Sequence, residues 1–128
     1  MRRKRFEKLE RQPLFQKALP EGHAPVRIVK SARIRFAPGQ PSGLHRHPMS
    51  TCGVVTAGRF ILEVGGETAR ELNAGDAFFE PEGTTIRRFD NASETEAAEI
   101  VCFYLTDADQ RPPIEMLDGG MDQQLGMT

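Results

Sequence analysis

The densest candidate chemistry lies in Leu44-His45-Arg46-His47-Pro48, where two of the chain's three histidines stand at i and i+2. On a strand, that spacing turns both imidazoles to one face. Neutral imidazole is the commonest protein metal ligand, so His45 and His47 read as a candidate metal pair. Spacing alone fits two histidines on a solvated strand edge equally well. Two imidazoles fall short of a redox iron site of the facial kind, which needs two histidines and a carboxylate. They also fall short of a catalytic zinc, which usually has three protein ligands. The third histidine, His23, lies between Gly22 and Pro25 in an irregular lead-in. The two cysteines, Cys52 and Cys102, are too few for a disulfide framework. With no visible signal peptide, they are expected as free thiols in a reducing cytoplasm, packing as small hydrophobes.

The elements that would position these groups are strands. Val26 to Phe36 alternates Ile28, Ala32, Ile34 and Phe36 with Arg27, Arg33 and Arg35, which predicts one buried and one wet face. A turn-rich loop, Pro38-Gly39-Gln40-Pro41-Ser42-Gly43, leads into the histidines. Beyond them, Val54-Val55 and Phe60 to Val64 are apolar stretches around Gly58, and Gly65-Gly66 predicts a hairpin turn back into Thr68 to Leu72. Ala77-Phe78-Phe79 and Thr84 to Phe89 follow, each after a turn signal, and Ala97 to Leu105 reads as a central strand. About seven short strands with turns every 8–12 residues predict an all-β sandwich or small barrel. Ahead of it, Phe6 and Leu9 at i, i+3 allow a short helix over residues 3–11, ended by Pro13. The expected organisation is a basic arm and lead-in at 1–25, a barrel at 26–105 and a polar tail at 106–128. The tail is expected to be loose, with Ile114, Met116 and Leu117 able to dock onto the barrel.

The spacing of glycines and histidines resembles the cupin superfamily. Gly39, five residues, His45, one residue, His47 and then Gly58 follows the first motif of that family, and Gly75, five residues, Pro81-Glu82-Gly83 and later Asn91 follows the second. The stretch Leu44 to Leu105 is similar to a bacterial single-domain, type-2-like cupin. That resemblance implies a double-stranded β-helix (jelly-roll-like) barrel, usually a homodimer. It also implies a pocket in which two histidines and a glutamate from the first motif, with a histidine from the second, bind a divalent metal such as Fe, Mn, Ni or Zn.

Here two of the four ligand positions depart from the family. The histidines carry over as His45 and His47, but the glutamate position holds Thr51 and the second-motif histidine position holds Ile86. The expectation is a degenerate two-His site with metal binding weak or absent. Candidate third ligands are Glu80, which shares strand parity with Phe78 but could instead cap the turn at Pro81, and Cys52. Cys52 neighbours Thr51, though alternation turns it away. Glu63 alternates with Leu62 and Val64 and is assigned to the wet face. Thr51, Ile86, Phe78 and Glu80 are the expected pocket lining. One of Arg87 and Arg88, on adjacent faces, could point inward to hold an acid.

Charge and composition narrow the function classes. The chain has formal net charge −1, but residues 1–35 carry 11 Lys/Arg against 3 Asp/Glu, so the arm is basic and the remainder acidic. With no interleaved aromatics or recognisable motif, a nucleic-acid arm is the weaker reading than an arm lying on an acidic barrel, its own or a partner's. No apolar run approaches the ~18–20 residues of a membrane span, and no Gly-rich phosphate loop opens a helix. The expected function is therefore a small-molecule-binding cupin. The alternative is a metal-dependent enzyme (a dioxygenase, isomerase or lyase) on a small oxygenated substrate.

Overall fold

The computed structural model describes residues 5–109 and 111–117. Nine strands are found there: β1 (Ile28–Phe36), β2 (His45–Arg46), β3 (Ser50–Ala57), β4 (Arg59–Val64), β5 (Arg70–Asn73), β6 (Ala77–Glu80), β7 (Ile86–Asn91), β8 (Ala98–Thr106) and β9 (Glu115–Met116). They form two antiparallel sheets, ordered β1-β8-β3-β6 and β5-β4-β7-β2-β9. The barrel is all-β, and β8 lies inside its sheet between β1 and β3, as its long apolar run predicts. The helix expected over 3–11 is absent among the described residues, and residues 5–11 are exposed and irregular. So short a segment does not hold a helix in water without a surface to pack on. No helix among the described residues is long and apolar enough to cross a membrane.

Strand alternation sorts the interior into two levels. At one level Phe36, Phe60, Phe78 and Phe89 pack ring to ring across the sheets, with the Phe36–Phe60 and Phe78–Phe89 centroids both 5.0 Å apart. Such tilted and edge-on contacts between buried rings add to their large burial energy. Along β8 the inward side chains climb from this aromatic floor through Ala98, Ile100 and Cys102 to Tyr104. Gly53 makes room at the junction. A Cβ there would sit 2.3 Å from the Val101 carbonyl oxygen and 2.5 Å from Phe78 Cζ.

Two local features aim the strands that carry the histidines. The Asn91 side chain donates to the Ala37 and Glu96 carbonyls at 3.0 and 2.8 Å, while its oxygen accepts the Ser93 N–H at 2.9 Å. This ties the loop before β2 to the end of β7. The β4–β7 register also slips between Glu63 and Val64, which pair with Arg88 and Ile86 respectively. That bulge explains the spacing of three between the inward Ile86 and Phe89. It also sends Arg87 and Arg88 both outward: Arg87 donates to the Gly65 carbonyl and Arg88 pairs with Asp90. Neither arginine enters the pocket, because strict alternation, which would have turned one of them in, is broken at that bulge.

Residues 112–117 dock rather than trail. β9 pairs with β2 (His45 opposite Met116, Arg46 opposite Glu115), Leu117 N–H donates to the Leu44 carbonyl, and Ile114 is buried. Arg46 grips Glu115 with two hydrogen bonds, at 3.1 and 2.9 Å.

Candidate metal centre

His45 on β2 and His47 immediately after it both line the interior cavity, and both are buried. Each ring is fixed from behind by a backbone carbonyl. His45 Nδ1 lies 2.8 Å from the Gly43 oxygen, and His47 Nδ1 lies 2.5 Å from the Pro113 oxygen. A carbonyl can only accept, so each Nδ1 carries the proton, and in the neutral ring Nε2 is left with its lone pair pointing inward. Carbonyls behind the ring are the usual way a metal-ligating histidine is oriented.

Both Nε2 atoms converge on one carboxylate. Glu80 Oε2 lies 3.1 Å from His47 Nε2 and 3.8 Å from His45 Nε2. The three ligand atoms all lie within 4.8 Å of one another, and all three residues are buried. Ligand atoms about 2.1 Å from a shared ion stand roughly 3.0–3.5 Å apart in octahedral or tetrahedral arrangements. The three residues thus fit a divalent ion, with two neutral nitrogens and one carboxylate. The expectation of a site short of ligands, and weak for that reason, is not supported, because Glu80 supplies the third donor.

Electrostatics hold the group together. Burial alone would push the Glu80 carboxyl up. With no metal bound and protons on the imidazoles instead, the charge of His47 and hydrogen bonds from both rings outweigh it and bring the carboxyl down to about 2. Burial likewise pushes His47 down, but Glu80 and the Pro113 carbonyl more than reverse this and raise the imidazole above its ordinary value.

The other expected residues fall in different places. Thr51 and Phe78 line the same cavity as His45, His47 and Glu80, together with Tyr104 and Cys102. Ile86 is fully buried directly opposite His45 in the β2–β7 pairing. Cys52 does not join the site. It pairs across β3 with Phe79 and Phe103 on the outer face, beside Leu14 and Phe15, and burial raises its thiol rather than lowering it. His23 also lies apart, accepting the Ser50 N–H at Nε2 and pinning the lead-in to the start of β3. Reading the sequence missed Tyr104, although alternation with Ile100 and Cys102 turns it inward. It also missed Pro113, whose role is a backbone carbonyl and leaves no residue-type signal.

The cavity at the three ligands measures about 20 Å³, a little more than the roughly 10–15 Å³ that one water needs. Tyr104, which lines this cavity, is buried, and its phenol is pushed up by burial and then by Cys102 and Glu80, so it stays protonated.

An oxalate oxidase in complex with the substrate analogue glycolate is 27% identical, with TM-score 0.60, over 70% of this chain and 46% of that one. A cupin-like protein from Thermotoga maritima is 22% identical, with TM-score 0.60, over 75% of this chain and 69% of that one. A structure from a study of DMSP lyases is 16% identical at TM-score 0.60, covering 70% of this chain and 44% of the other. The chain spans about half the length of the oxalate oxidases it matches. No curated protein matches the sequence. Residues 32–104, more than half of the chain, match the cupin domain family, and with its two antiparallel sheets around a His-His-Glu group the chain belongs to the cupins.

Proposed function

We propose that this cupin holds one divalent ion, of the iron or manganese type, on His45, His47 and Glu80 and uses it on a small carboxylic acid. The observation that carries this reading is Glu80 Oε2, placed 3.1 Å from His47 Nε2 and 3.8 Å from His45 Nε2 in a buried site. Two histidines and a carboxylate with open positions are the donor set of non-haem iron chemistry. A bound ion would polarise a coordinated oxygen and, if redox-active, exchange electrons with it.

Charge selects the ligand class. A divalent ion on one carboxylate and two neutral imidazoles leaves a net +1 in a buried site. The carboxylate of an acid offsets that charge, whereas a cation or a neutral apolar molecule does not. The same argument weighs against a metal-free acid binder. Without the ion, Glu80 would stand as a buried negative charge beside the incoming acid. The likeness to oxalate oxidase, at 27% identity, supports the acid class. The small cavity favours the shortest acids.

The test is reconstitution of the full chain with Mn(II) or Fe(II), followed by oxalate and glycolate. The expected result is a shift in the metal's paramagnetic spectrum on adding acid and consumption of the acid under air. A spectrum indifferent to both acids would overturn the proposed substrate class.

A further inference from the structure

The pairing registers draw a straight row across one sheet. Tyr104 on β8 stands opposite Thr51 on β3, and Thr51 stands opposite Glu80 on β6. Residues directly opposite on neighbouring strands share a face and stand about 5 Å apart. The face is the inner one, since all three are buried and all three line the cavity. One end of the row is therefore a metal ligand, and the next two side chains are hydroxyls that no metal uses.

The two hydroxyls are engaged in complementary ways. Cys102 Sγ and Tyr104 Oη share a hydrogen bond at 3.2 Å. Sulfur is a weak acceptor, so on a side chain only 4% exposed the phenol O–H has a stronger partner in an anionic oxygen brought by a ligand. Thr51 is the reverse. Its Oγ1–H donates to the Met49 carbonyl at 3.3 Å, which leaves the oxygen free only as an acceptor. The Tyr104 ring also packs on that of His47, at 5.9 Å between centroids, so its position is tied to the ligand it neighbours.

We infer that Tyr104 and Thr51 form a donor–acceptor pair that selects a short hydroxy acid at the metal. Tyr104 donates to an anionic oxygen of the ligand, and Thr51 accepts from its hydroxyl. A plain acid of the same size satisfies only the first. The inference deepens the metal-and-acid reading and depends on it. The cavity keeps the class at its two-carbon end.

Glycolate and acetate are the probes, titrated into Mn(II)-loaded full-length protein, with metal content measured alongside. Tyr104→Phe is expected to keep its metal and to weaken both acids about tenfold, the size of one hydrogen bond to a charged group. Thr51→Val is expected to keep its metal and weaken glycolate about tenfold while leaving acetate unchanged. A merely structural role for either hydroxyl would not separate the two acids in this way. Unchanged binding of both acids in Tyr104→Phe overturns the inference, as does an equal loss for both in Thr51→Val. If the wild-type chain loads no metal, the underlying reading fails, and this inference with it. Metal-loaded variants that bind both acids like wild type overturn this inference alone.

Discussion

Glu80 stands directly opposite Thr51 across the β3–β6 pair. Thr51 occupies the position at which a cupin of the usual pattern carries its glutamate, so the carboxylate is displaced by one strand, about 5 Å, and still reaches both imidazoles. The site is a rearranged His-His-Glu set rather than a truncated one. A carboxylate at either position should therefore serve. Glu80→Thr is expected to lose metal affinity by on the order of 100-fold or more, and adding Thr51→Glu to that variant should recover most of it. Calorimetric titration with Mn(II) checks both steps, and a double variant as poor as the single one would show that the two positions are not equivalent.

The second departure makes a different prediction. Ile86 faces His45 in register and is fully buried on the same side of the sheet. Ile86→His should add a fourth nitrogen and raise divalent-metal affinity about tenfold or more, by the same titration. No gain would mean that the side chain at 86 does not reach the ion.

Proton and metal compete for His47, which sets the pH dependence. In the metal-free protein His47 is raised and Glu80 lowered to about 2. The raised imidazole stabilises the fold below its ordinary pKa of about 6.5, and that contribution is lost as pH rises through the higher folded value. The lowered carboxyl stabilises above about 4.3, and its contribution is lost as pH falls through about 2. The pair thus favours the metal-free fold most between about pH 4.5 and 6.5. Metal needs the neutral ring, so its affinity should fall about tenfold per pH unit below the His47 value. Thermal melts with Mn(II) and with chelator should show a larger metal-induced rise in Tm at pH 8 than at pH 6. Equal rises at the two pH values would contradict the assignment of His47.

Packing beneath the site is testable apart from chemistry. Gly53→Ala forces a Cβ against the Val101 carbonyl and the Phe78 ring. Overpacking of this kind costs about 1–3 kcal/mol. Because Phe78 lines the cavity, acid binding should weaken together with stability. Denaturant melts check the first effect, and a stability equal to wild type would show that β3 and β8 can spread.

Much of the fold is legible in the sequence. Alternation in Ile28–Phe36 and Ala98–Thr106 marks β1 and β8, the glycine turns bound the strands, and the i, i+2 spacing marks His45 and His47. What was hidden depends on pairings between distant residues. Glu80 and Thr51 are neighbours only once β3 and β6 are in register, so parity with Phe78 could nominate Glu80 but could not seat it. The bulge that turns Arg87 and Arg88 outward interrupts the alternation on which their reading rested. The Pro113 carbonyl is a backbone atom brought in from 66 residues away. The helix expected from Phe6 and Leu9 failed for a related reason: two apolar side chains at helical spacing fold nothing without a surface to cover.

Elemental analysis of untagged protein, soaked in Mn(II) or Fe(II) and desalted, tests most directly whether Glu80 completes a metal site. Near one ion per chain in wild type and well below a tenth in Glu80→Ala, with the β-rich circular dichroism spectrum unchanged, is the predicted result. Equal metal in the two proteins, or none in either, would contradict it.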